Sequence, residues 1–274
     1  MQTAILTING LSLALSRVGV GPPLLLLHGF TGSAAEWQEL ASTLAVDHTL
    51  LMPDLIGHGR SSAPSDPARY AMEYVVADLL QLLDQLGLEQ IDLLGYSMGG
   101  RVALQLALAA PARVRRLILE SASPGLNDPA ERAARVANDE ALATRIEQEG
   151  LPWFVDYWAE IPLFLSQARL PAATRAALRA RRLQGSAGGY AASLRGMGTG
   201  RQPSLWGSLS TLHLPVLLIS GLLDTKFVAI GNEMAKLLPM AMHSIVTSAG
   251  HTVHLEQPEQ FAELVLRFLK DGSS

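Results

Sequence analysis

The most constraining feature of the sequence is a serine set between glycines where an apolar segment meets a helical pattern. Residues 91–94 read IDLL, residues 95–99 read GYSMG, and the apolar-rich GRVALQLAL follows. A sharp strand-to-helix turn strains the backbone of its central residue, and glycines on either side remove the Cβ atoms that would clash there. The pattern matches a nucleophile elbow and predicts a reactive Ser97 hydroxyl. The alternative is a glycine-rich turn that only packs.

Short apolar segments alternate with helical patterns along much of the chain. The apolar segments are Leu24–Leu27, Thr49–Met52, Ile91–Leu94, Leu117–Leu119 and Val216–Ser220. Their brevity predicts strands buried on both faces. The clearest helix is Met72–Leu86, where apolar residues recur near i, i+3, i+4 and i+7. This alternation predicts a mostly parallel central sheet flanked by helices, and the near-alternating N-terminal residues predict a strand pair at an antiparallel edge.

The alternation stops in the middle of the chain, where several helical patterns follow one another without a convincing strand. We therefore predict an α/β core of residues 1–122 and 211–274 with a helical cap inserted at residues 123–210. Residues 166–210 contain seven arginines and no aspartate or glutamate, although the whole chain has a net charge of -4. Arginine suits bidentate binding of carboxylates, so the cap favours an acidic ligand. A GC-rich genome would also enrich the chain in arginine.

Composition excludes several classes of protein. The net charge of -4 gives no general attraction for nucleic acid or for an anionic membrane. The absence of cysteine excludes disulfides, thiolate metal sites and a cysteine nucleophile. No apolar segment reaches the roughly 20 residues of a membrane helix, and no basic segment precedes an apolar one at the N-terminus. We expect a cytoplasmic protein without membrane insertion, monomeric or weakly homo-oligomeric.

A serine nucleophile needs a general base, and the base needs an orienting acid. In folds that carry a nucleophile elbow on a mostly parallel sheet, the three residues follow along the chain in the order serine, acid, histidine. Asp224 follows the apolar segment VLLIS, and His251 follows HSIVTS, so both lie where loops leave the carboxyl ends of strands. We predict a catalytic triad of Ser97, Asp224 and His251. His254 is the alternative base and Glu120 the alternative acid.

The loop LLLLHGFTGS predicts the remaining parts of the site. Gly29 allows the backbone to approach the serine, so the amides of Phe30 and Met98 are predicted to form an oxyanion hole. His28 is interpreted as a structural hydrogen-bonding residue. No metal ligands cluster at metal-binding spacing and no glycine-rich phosphate loop is found, so we predict no metal and no cofactor.

Five motifs occur in a characteristic order: HGFTGS, DLIGHGRSS, GYSMGG, GLLDTKF and SAGHTVHLEQP. Through them the whole chain resembles proteins of the α/β-hydrolase fold, a fold that hosts many reactions. A narrower resemblance is carried by EWQEL, GYSMGGRVAL, ESASPGL, AERAAR, FVDYW and SLRGMGTGRQPSLW. In these motifs the chain is similar, over nearly all its length, to the 2-succinyl-6-hydroxy-2,4-cyclohexadiene-1-carboxylate synthases, lyases of menaquinone biosynthesis.

This resemblance implies a reaction and a substrate. The implied lyase eliminates pyruvate from 2-succinyl-5-enolpyruvyl-6-hydroxy-3-cyclohexene-1-carboxylate and gives 2-succinyl-6-hydroxy-2,4-cyclohexadiene-1-carboxylate, without a cofactor. The small polycarboxylate substrate is then the only partner that we expect. The resemblance implies substrate contacts from Tyr96, Arg101, Arg135, Trp158 and one arginine of the cap, for which we choose Arg182, with Arg179 and Arg181 as alternatives.

Arg101 also stands out from the residues alone. It follows Ser97 by four residues, about one helical turn, so both side chains lie on the same face of the helix. A buried guanidinium favours an anionic ligand, whereas pairing with a surface carboxylate would give it a structural role.

Two other functions stay open on the sequence. One is a serine hydrolase of small acidic esters or C–C bonds, in which Ser97 is acylated or activates water. The other is a ligand receptor that retains the triad and signals through its cap. A dehalogenase is disfavoured because such an enzyme needs an aspartate where Ser97 stands.

Overall fold

An eight-stranded sheet organises the chain in the computed structural model, which describes residues 1–271. The strands are β1 (Gln2–Ile8), β2 (Leu11–Val18), β3 (Pro23–Leu27), β4 (Thr49–Pro53), β5 (Ile91–Tyr96), β6 (Val114–Glu120), β7 (Val216–Gly221) and β8 (Ala241–Val246). Their order in the sheet is β1-β2-β4-β3-β5-β6-β7-β8. β2 pairs antiparallel with β1 and with β4, and the remaining neighbours are parallel. The predicted parallel sheet with an antiparallel N-terminal edge is confirmed.

Helices cover both faces of this sheet. The α-helices are α1 (Gln38–Leu44), α2 (Met72–Gln85), α3 (Met98–Ala109), α4 (Pro129–Ala159), α5 (Ala172–Arg182), α6 (Ala187–Met197), α7 (Thr225–Leu237), α8 (Val253–Glu256) and α9 (Pro258–Asp271). Short 3-10 helices lie at Ala34–Trp37, Pro67–Tyr70, Pro111–Arg113, Pro162–Arg169 and Trp206–Thr211. The helix predicted at Met72–Leu86 is confirmed as α2, which ends one residue earlier.

The central strands are buried on both faces, which explains their continuous apolar runs. In β3, Leu25 and Leu27 belong to the core that includes residues of α2 and α3. Leu24 and Leu26 belong to the opposite core, which includes residues of α1 and α9. Because successive strand residues point to opposite faces, a strand between two helical layers needs apolar side chains throughout.

The segment between β6 and β7 is helical, with no strand in residues 121–215. Its longest helix, α4, is interrupted at Gly150, where φ is 83° and ψ is 174°, and Pro152 follows. α4 and α6 share an apolar cluster that includes Ala143, Phe154 and Tyr190. The limits of 123 and 210 for this cap remain our division of the chain. In the described residues, no helix is both long and apolar enough to span a membrane.

Candidate active site

Ser97 lies at the sharp turn between β5 and α3, as its glycine-rich context predicts. Its backbone has φ 49° and ψ -107°, a conformation that costs energy for a residue with a side chain. A Cβ atom on Gly99 would overlap the carbonyl oxygen of Leu27, so only glycine fits there. The Ser97 amide donates a 2.8 Å hydrogen bond to the carbonyl oxygen of Glu120 on β6. The neighbouring strand therefore holds the strained turn in place.

The three residues of the predicted triad lie together. His251 Nε2 lies 2.9 Å from Ser97 Oγ, and His251 Nδ1 lies 2.7 Å from Asp224 Oδ2. Asp224 follows β7 and caps α7 by accepting from the Phe227 amide, which fixes the position of its carboxylate. Because the carboxylate accepts the Nδ1 proton, Nε2 is left to accept from the serine hydroxyl. The arrangement is suited to removing the proton of Ser97.

The alternative base and acid pair with each other instead of joining the serine. His254 Nδ1 lies 2.7 Å from Glu120 Oε2, and both side chains are buried. His28 contacts the Gly29 carbonyl through Nδ1 and accepts from the Leu55 amide through Nε2, in agreement with a structural role.

A cavity of about 270 Å³ opens above Ser97 and His251. The predicted residues Phe30, Met98, Arg101, Arg135 and Trp158 all line it. Met98 is the first residue of α3, so its amide has no partner within the helix. Lys226 also lines the cavity, and none of the lining residues, all within the described part of the chain, is acidic. The cavity therefore presents positive charge to whatever occupies it.

Arg101 is held in this cavity by neutral groups. Its Nη1 donates to the carbonyl oxygen of Met197 at 2.7 Å and to Gln202 Oε1 at 2.5 Å. No carboxylate in residues 1–271 forms an ion pair with it. Burial, and then the nearby Arg135, lower the pKa of Arg101 to about 10, so the side chain stays charged at neutral pH. Its charge is thus available to an anion.

Arg135 is partly neutralised within the cap. Its Nε donates a 2.8 Å hydrogen bond to Asp139 Oδ1, one helical turn away. Burial raises the pKa of Asp139 in spite of the opposing effect of Arg135. The second carboxylate oxygen of Asp139 has no hydrogen-bond partner among the described residues.

Trp158 serves two purposes at once. Its ring packs against Phe30, with centroids 5.2 Å apart, and against Phe154 in the core of the cap. It also lines the Ser97 cavity, and its buried indole N–H finds no acceptor in the part of the chain that the structure describes. Packing in the cap and contact with a ligand are therefore compatible for Trp158.

Tyr96 and Arg182 are not brought to the Ser97 cavity. They line a second, smaller cavity of about 30 Å³ together with Arg181, while Phe30 lines both cavities. Phe164 packs against His251 on one side and lies under the Arg182 guanidinium on the other. These two residues thus line a neighbouring cavity rather than the Ser97 cavity, and their contact with the substrate stays a prediction.

The three arginines considered at the end of α5 differ in their surroundings. Arg179 forms an exposed ion pair with Asp156 and lines neither cavity. Arg182 is buried, its pKa is lowered by burial, and its Nε has no acceptor in residues 1–271. Tyr96 is also buried, and its hydroxyl lies 2.7 Å from Thr252 Oγ1.

Sequence reasoning missed two polar residues of the Ser97 site. Lys226 lines the cavity from the first turn of α7, and its position two residues after Asp224 was a signal for it. Gln202, in the motif GRQPS, is buried and accepts from Arg101. No sequence signal pointed to this second contact, since it joins α3 to a loop about a hundred residues later. No group of three or more His, Asp or Glu residues in the described range is arranged to hold a metal ion.

Comparisons with known proteins agree on the fold. A family model described as "alpha/beta hydrolase fold" matches residues 22–258. A Bacillus subtilis (strain 168) protein provisionally named 2-succinyl-6-hydroxy-2,4-cyclohexadiene-1-carboxylate synthase is 48% identical over 243 residues, which cover 89% of this chain and 88% of the relative. The synthase of that name from Enterobacter sp. (strain 638) is 33% identical, with 91% and 92% covered.

A solved structure extends the similarity to three dimensions. The structure of MenH from S. aureus superposes with a TM-score of 0.91 at 34% identity, covering 96% of this chain and 99% of that one. The predicted α/β-hydrolase fold with an inserted helical segment is confirmed.

Proposed function

Since this chain belongs to the 2-succinyl-6-hydroxy-2,4-cyclohexadiene-1-carboxylate synthase family of the α/β-hydrolase fold, we propose that it eliminates pyruvate from 2-succinyl-5-enolpyruvyl-6-hydroxy-3-cyclohexene-1-carboxylate. One observation carries the proposal beyond family membership. The cavity above Ser97 is lined by Arg101, Arg135 and Lys226, and none of its lining residues, which lie within the described chain, is acidic. Arg101 is partly buried and has no carboxylate partner among the described side chains, and a buried cation is costly unless an anion pairs with it. A substrate with several carboxylates supplies those anions, and a neutral ester does not.

The proposed chemistry begins with proton transfer. Asp224 orients His251, which accepts the proton of Ser97, and the serine oxygen then removes a proton from the ring carbon adjacent to the succinyl ketone. The electron pair of the broken C–H bond moves to the ketone, which becomes an enolate. The amides of Phe30 and Met98 donate to the enolate oxygen and stabilise the charge that develops there.

Collapse of the enolate completes the elimination. The ketone reforms and the electron pair passes through the existing ring C=C bond, which shifts by one position. A second ring C=C bond forms next to the ketone-bearing carbon, and the bond from the ring to the enolpyruvyl oxygen breaks. The leaving group departs as the enolate of pyruvate and takes up one proton to become pyruvate, while His251 gives up the proton that it took from Ser97, so the triad returns to its starting state. No covalent bond between Ser97 and the substrate forms in this sequence.

The cations act by positioning rather than by proton transfer. Carboxylates bound by Arg101 and Arg135 keep the ring in one orientation, so that the C–H bond faces Ser97. Holding reacting groups at near-attack distance removes several kcal/mol from the barrier. The positive charge also favours the build-up of negative charge on the substrate during the reaction.

The decisive experiment supplies the enolpyruvyl cyclohexene substrate and measures pyruvate release. We expect the wild-type protein to release pyruvate in step with formation of the cyclohexadiene product. Ser97→Ala removes the group that takes the proton and is expected to abolish release. Ser65→Ala makes the same chemical change at an exposed serine outside the cavity and is the matched control, which keeps its activity. A folded wild-type protein that releases no pyruvate contradicts the proposal.

A second candidate function is hydrolysis of small acidic esters, because the 2.9 Å contact between His251 and Ser97 equally favours attack on a carbonyl. Mass spectrometry of the intact protein separates the two reactions. A transient acyl group on Ser97, with a burst of the alcohol product, would favour hydrolysis. The lyase reaction leaves the mass of the protein unchanged throughout turnover.

A further inference from the structure

A buried histidine–glutamate pair lies beside the triad without belonging to it. Glu120, at the end of β6, receives two hydrogen bonds from His254: Oε2 lies 2.7 Å from Nδ1, and Oε1 accepts from the backbone amide at 3.0 Å. The side chain of Glu120 is 0% exposed and that of His254 is 3% exposed. Burying a carboxylate and an imidazole is costly, so this pair needs a reason beyond packing.

Glu120 of this pair also contacts the backbone of the predicted nucleophile. The carbonyl oxygen of Glu120 accepts the 2.8 Å hydrogen bond from the amide of Ser97. The same residue therefore holds the backbone of the strained serine with its main chain and His254 with its carboxylate. A shift of the Glu120 side chain away from His254 would be transmitted to the end of β6, where the serine is anchored.

His254 of this pair is connected, through Glu36, to the loop of the predicted oxyanion hole. His254 Nε2 lies 3.9 Å from Glu36 Oε1, close enough for an ion pair. Glu36 Oε2 accepts a 2.9 Å hydrogen bond from the amide of Gly29. Gly29 immediately precedes Phe30, so the Glu36 carboxylate fixes the peptide next to the amide that is proposed to bind the enolate oxygen.

We propose that His254 is a positioning residue, which ties the Ser97 turn to the oxyanion loop through Glu120 on one side and Glu36 on the other. This inference rests on the proposed function only for its effect on turnover; the linkage itself is a property of the fold. Through this linkage, protonated His254 lies between the carboxylates of Glu120 and Glu36 and sets the distance between the serine oxygen and the Phe30 amide.

The charges around His254 favour its protonated form. Glu120 of β6 and Glu36 of the 3-10 helix Ala34–Trp37 contribute negative charge, and Arg181 of α5 contributes an opposing positive charge. The rings of Trp37, Tyr96 and Phe261 pack against His254, and the cation of Arg182 lines the same small cavity as His254. Burial alone lowers the pKa of His254, but the two carboxylates outweigh burial and Arg181, so the pKa is raised.

The sign of the pH dependence follows from this raised pKa. The charged linkage is fully present below the unfolded value of 6.5 and is lost as the pH rises through the higher value in the folded protein. We therefore expect turnover to fall on the alkaline side as His254 loses its proton. Neutral His254 leaves Glu36 without its partner and loosens the Gly29 peptide.

Two variants test the linkage at different points. In Glu36→Gln the amide oxygen still accepts from Gly29, but the charge that faces His254 is gone. His254→Asn retains a donor near the position of Nδ1 for Glu120 and removes the ring edge that faces Glu36. We expect both variants to lower kcat by about 10- to 100-fold, because the Phe30 amide that stabilises the enolate is displaced. KM should change by less than about threefold, because the cations of the cavity stay in place.

Trp37→Phe is the matched control. The Trp37 ring of the wild type contacts the His254 ring, with centroids 4.8 Å apart, and is fully buried, but it carries no charge. We expect this variant to unfold more easily. Its kcat and the alkaline limb of its pH–rate profile, where turnover falls as the pH rises, should stay as in the wild type. The alkaline limb of the pH–rate profile should disappear in both Glu36→Gln and His254→Asn, because neither variant retains the charge pair between residues 36 and 254. A Glu36→Gln variant with wild-type kcat and an unmoved limb overturns the inference.

A measurement without turnover separates this inference from the proposed function. NMR of protein labelled at histidine and glycine follows the His254 imidazole and the Gly29 amide during a pH titration. We expect the Gly29 signal to follow the titration of His254 in the wild type and to lose that dependence in Glu36→Gln. If this coupling is seen but no pyruvate is released, the linkage stands and the proposed reaction fails. If pyruvate is released but Gly29 does not respond, the linkage is refuted.

Discussion

Arg101 lines the Ser97 cavity without a carboxylate partner in residues 1–271, and its replacement by methionine distinguishes ligand binding from structural support. Methionine has a similar length and reach but no charge. We expect Arg101→Met to lower kcat/KM strongly and to leave the free energy of unfolding nearly unchanged. An arginine that served the fold would show the opposite pattern.

The size of the loss in kcat/KM follows from the surroundings of the guanidinium. Among the described residues, Arg101 donates only through Nη1, to Met197 and Gln202, so Nε and Nη2 are left for a carboxylate. Removing one partner of a buried, hydrogen-bonded ion pair costs about 2–5 kcal/mol. At about 1.4 kcal/mol per factor of ten, this corresponds to a fall of about 30- to 4000-fold in kcat/KM.

The effect on stability is the balance of two opposing terms. Burial and Arg135 lower the pKa of Arg101 from 12.5 to about 10, which corresponds to a cost of about 3 kcal/mol for keeping it charged. Its removal relieves that cost but leaves the acceptors of Met197 and Gln202 without a donor, at about 1–3 kcal/mol for each acceptor. With the middle of that range for both acceptors, we expect a net loss of about 1 kcal/mol in the free energy of unfolding.

The assay combines steady-state pyruvate release with urea unfolding. Arg195→Met is the matched control, because Arg195 forms ion pairs with Glu140 and Glu147 on the outside of the cap. Its kcat/KM should equal that of the wild type. Arg101→Met that unfolds at much lower urea, or that retains more than about a third of wild-type kcat/KM, would refute the assignment of Arg101 to substrate binding.

Three further outcomes follow from the same geometry. Asp224→Asn no longer fixes the tautomer of His251 and should lower kcat by about 10³- to 10⁴-fold with an unchanged circular dichroism spectrum; a smaller loss would mean that another acid orients the histidine. Gly99→Ala places a Cβ against the Leu27 carbonyl and should lower the free energy of unfolding by at least about 1–3 kcal/mol in urea titrations, whereas a neutral change would show that the turn relaxes freely. Lys226→Met removes an exposed cation of the cavity and should raise KM only about two- to fivefold, with the difference shrinking in high salt; a loss as large as that of Arg101→Met would contradict the ranking of the two cations.

The sheet was predictable because burial on both faces leaves a direct mark on the sequence. Leu24–Leu27 is continuously apolar, and each of its residues is fully buried in one of two cores. α2 was predictable because only one of its faces is buried, so its apolar residues recur with the helical period. The interruption of α4 at Gly150 was not predicted, since a glycine in a helical pattern does not by itself specify the backbone angle it adopts.

The triad was predictable for a topological reason. Parallel strands place their carboxyl ends at one edge of the sheet, so the loops that carry Ser97, Asp224 and His251 must meet. The pairing of Glu120 with His254 was open to the same argument, since both residues lie at that edge. The sequence analysis treated Glu120 and His254 separately, as an alternative acid and an alternative base of the triad. It therefore did not predict that they would bind each other.

The contacts of the cap were less predictable because they depend on how helices pack rather than on strand order. Arg182 ends α5, and a rotation of that helix by one residue would exchange its environment with that of Arg181. Phe30 lines both cavities and Phe164 contacts both Arg182 and His251, and aromatic packing between a loop and a cap leaves no periodic pattern in the sequence.

The reaction must be decided by the cavity, because Ser97, His251 and Asp224 make the same contacts whether the serine oxygen attacks a carbonyl or removes a proton. Attack requires that the oxygen reach a carbonyl carbon, and elimination requires that it reach a C–H bond next to a carbonyl. A ligand held only by apolar contact can slide between these positions, since such contact has no preferred direction. A ligand whose carboxylates are bound by Arg101 and Arg135 has its orientation fixed by directional, charge-assisted hydrogen bonds. Under the proposed function, the cations of the cavity therefore select the bond that meets the serine, and the predicted triad supplies the base.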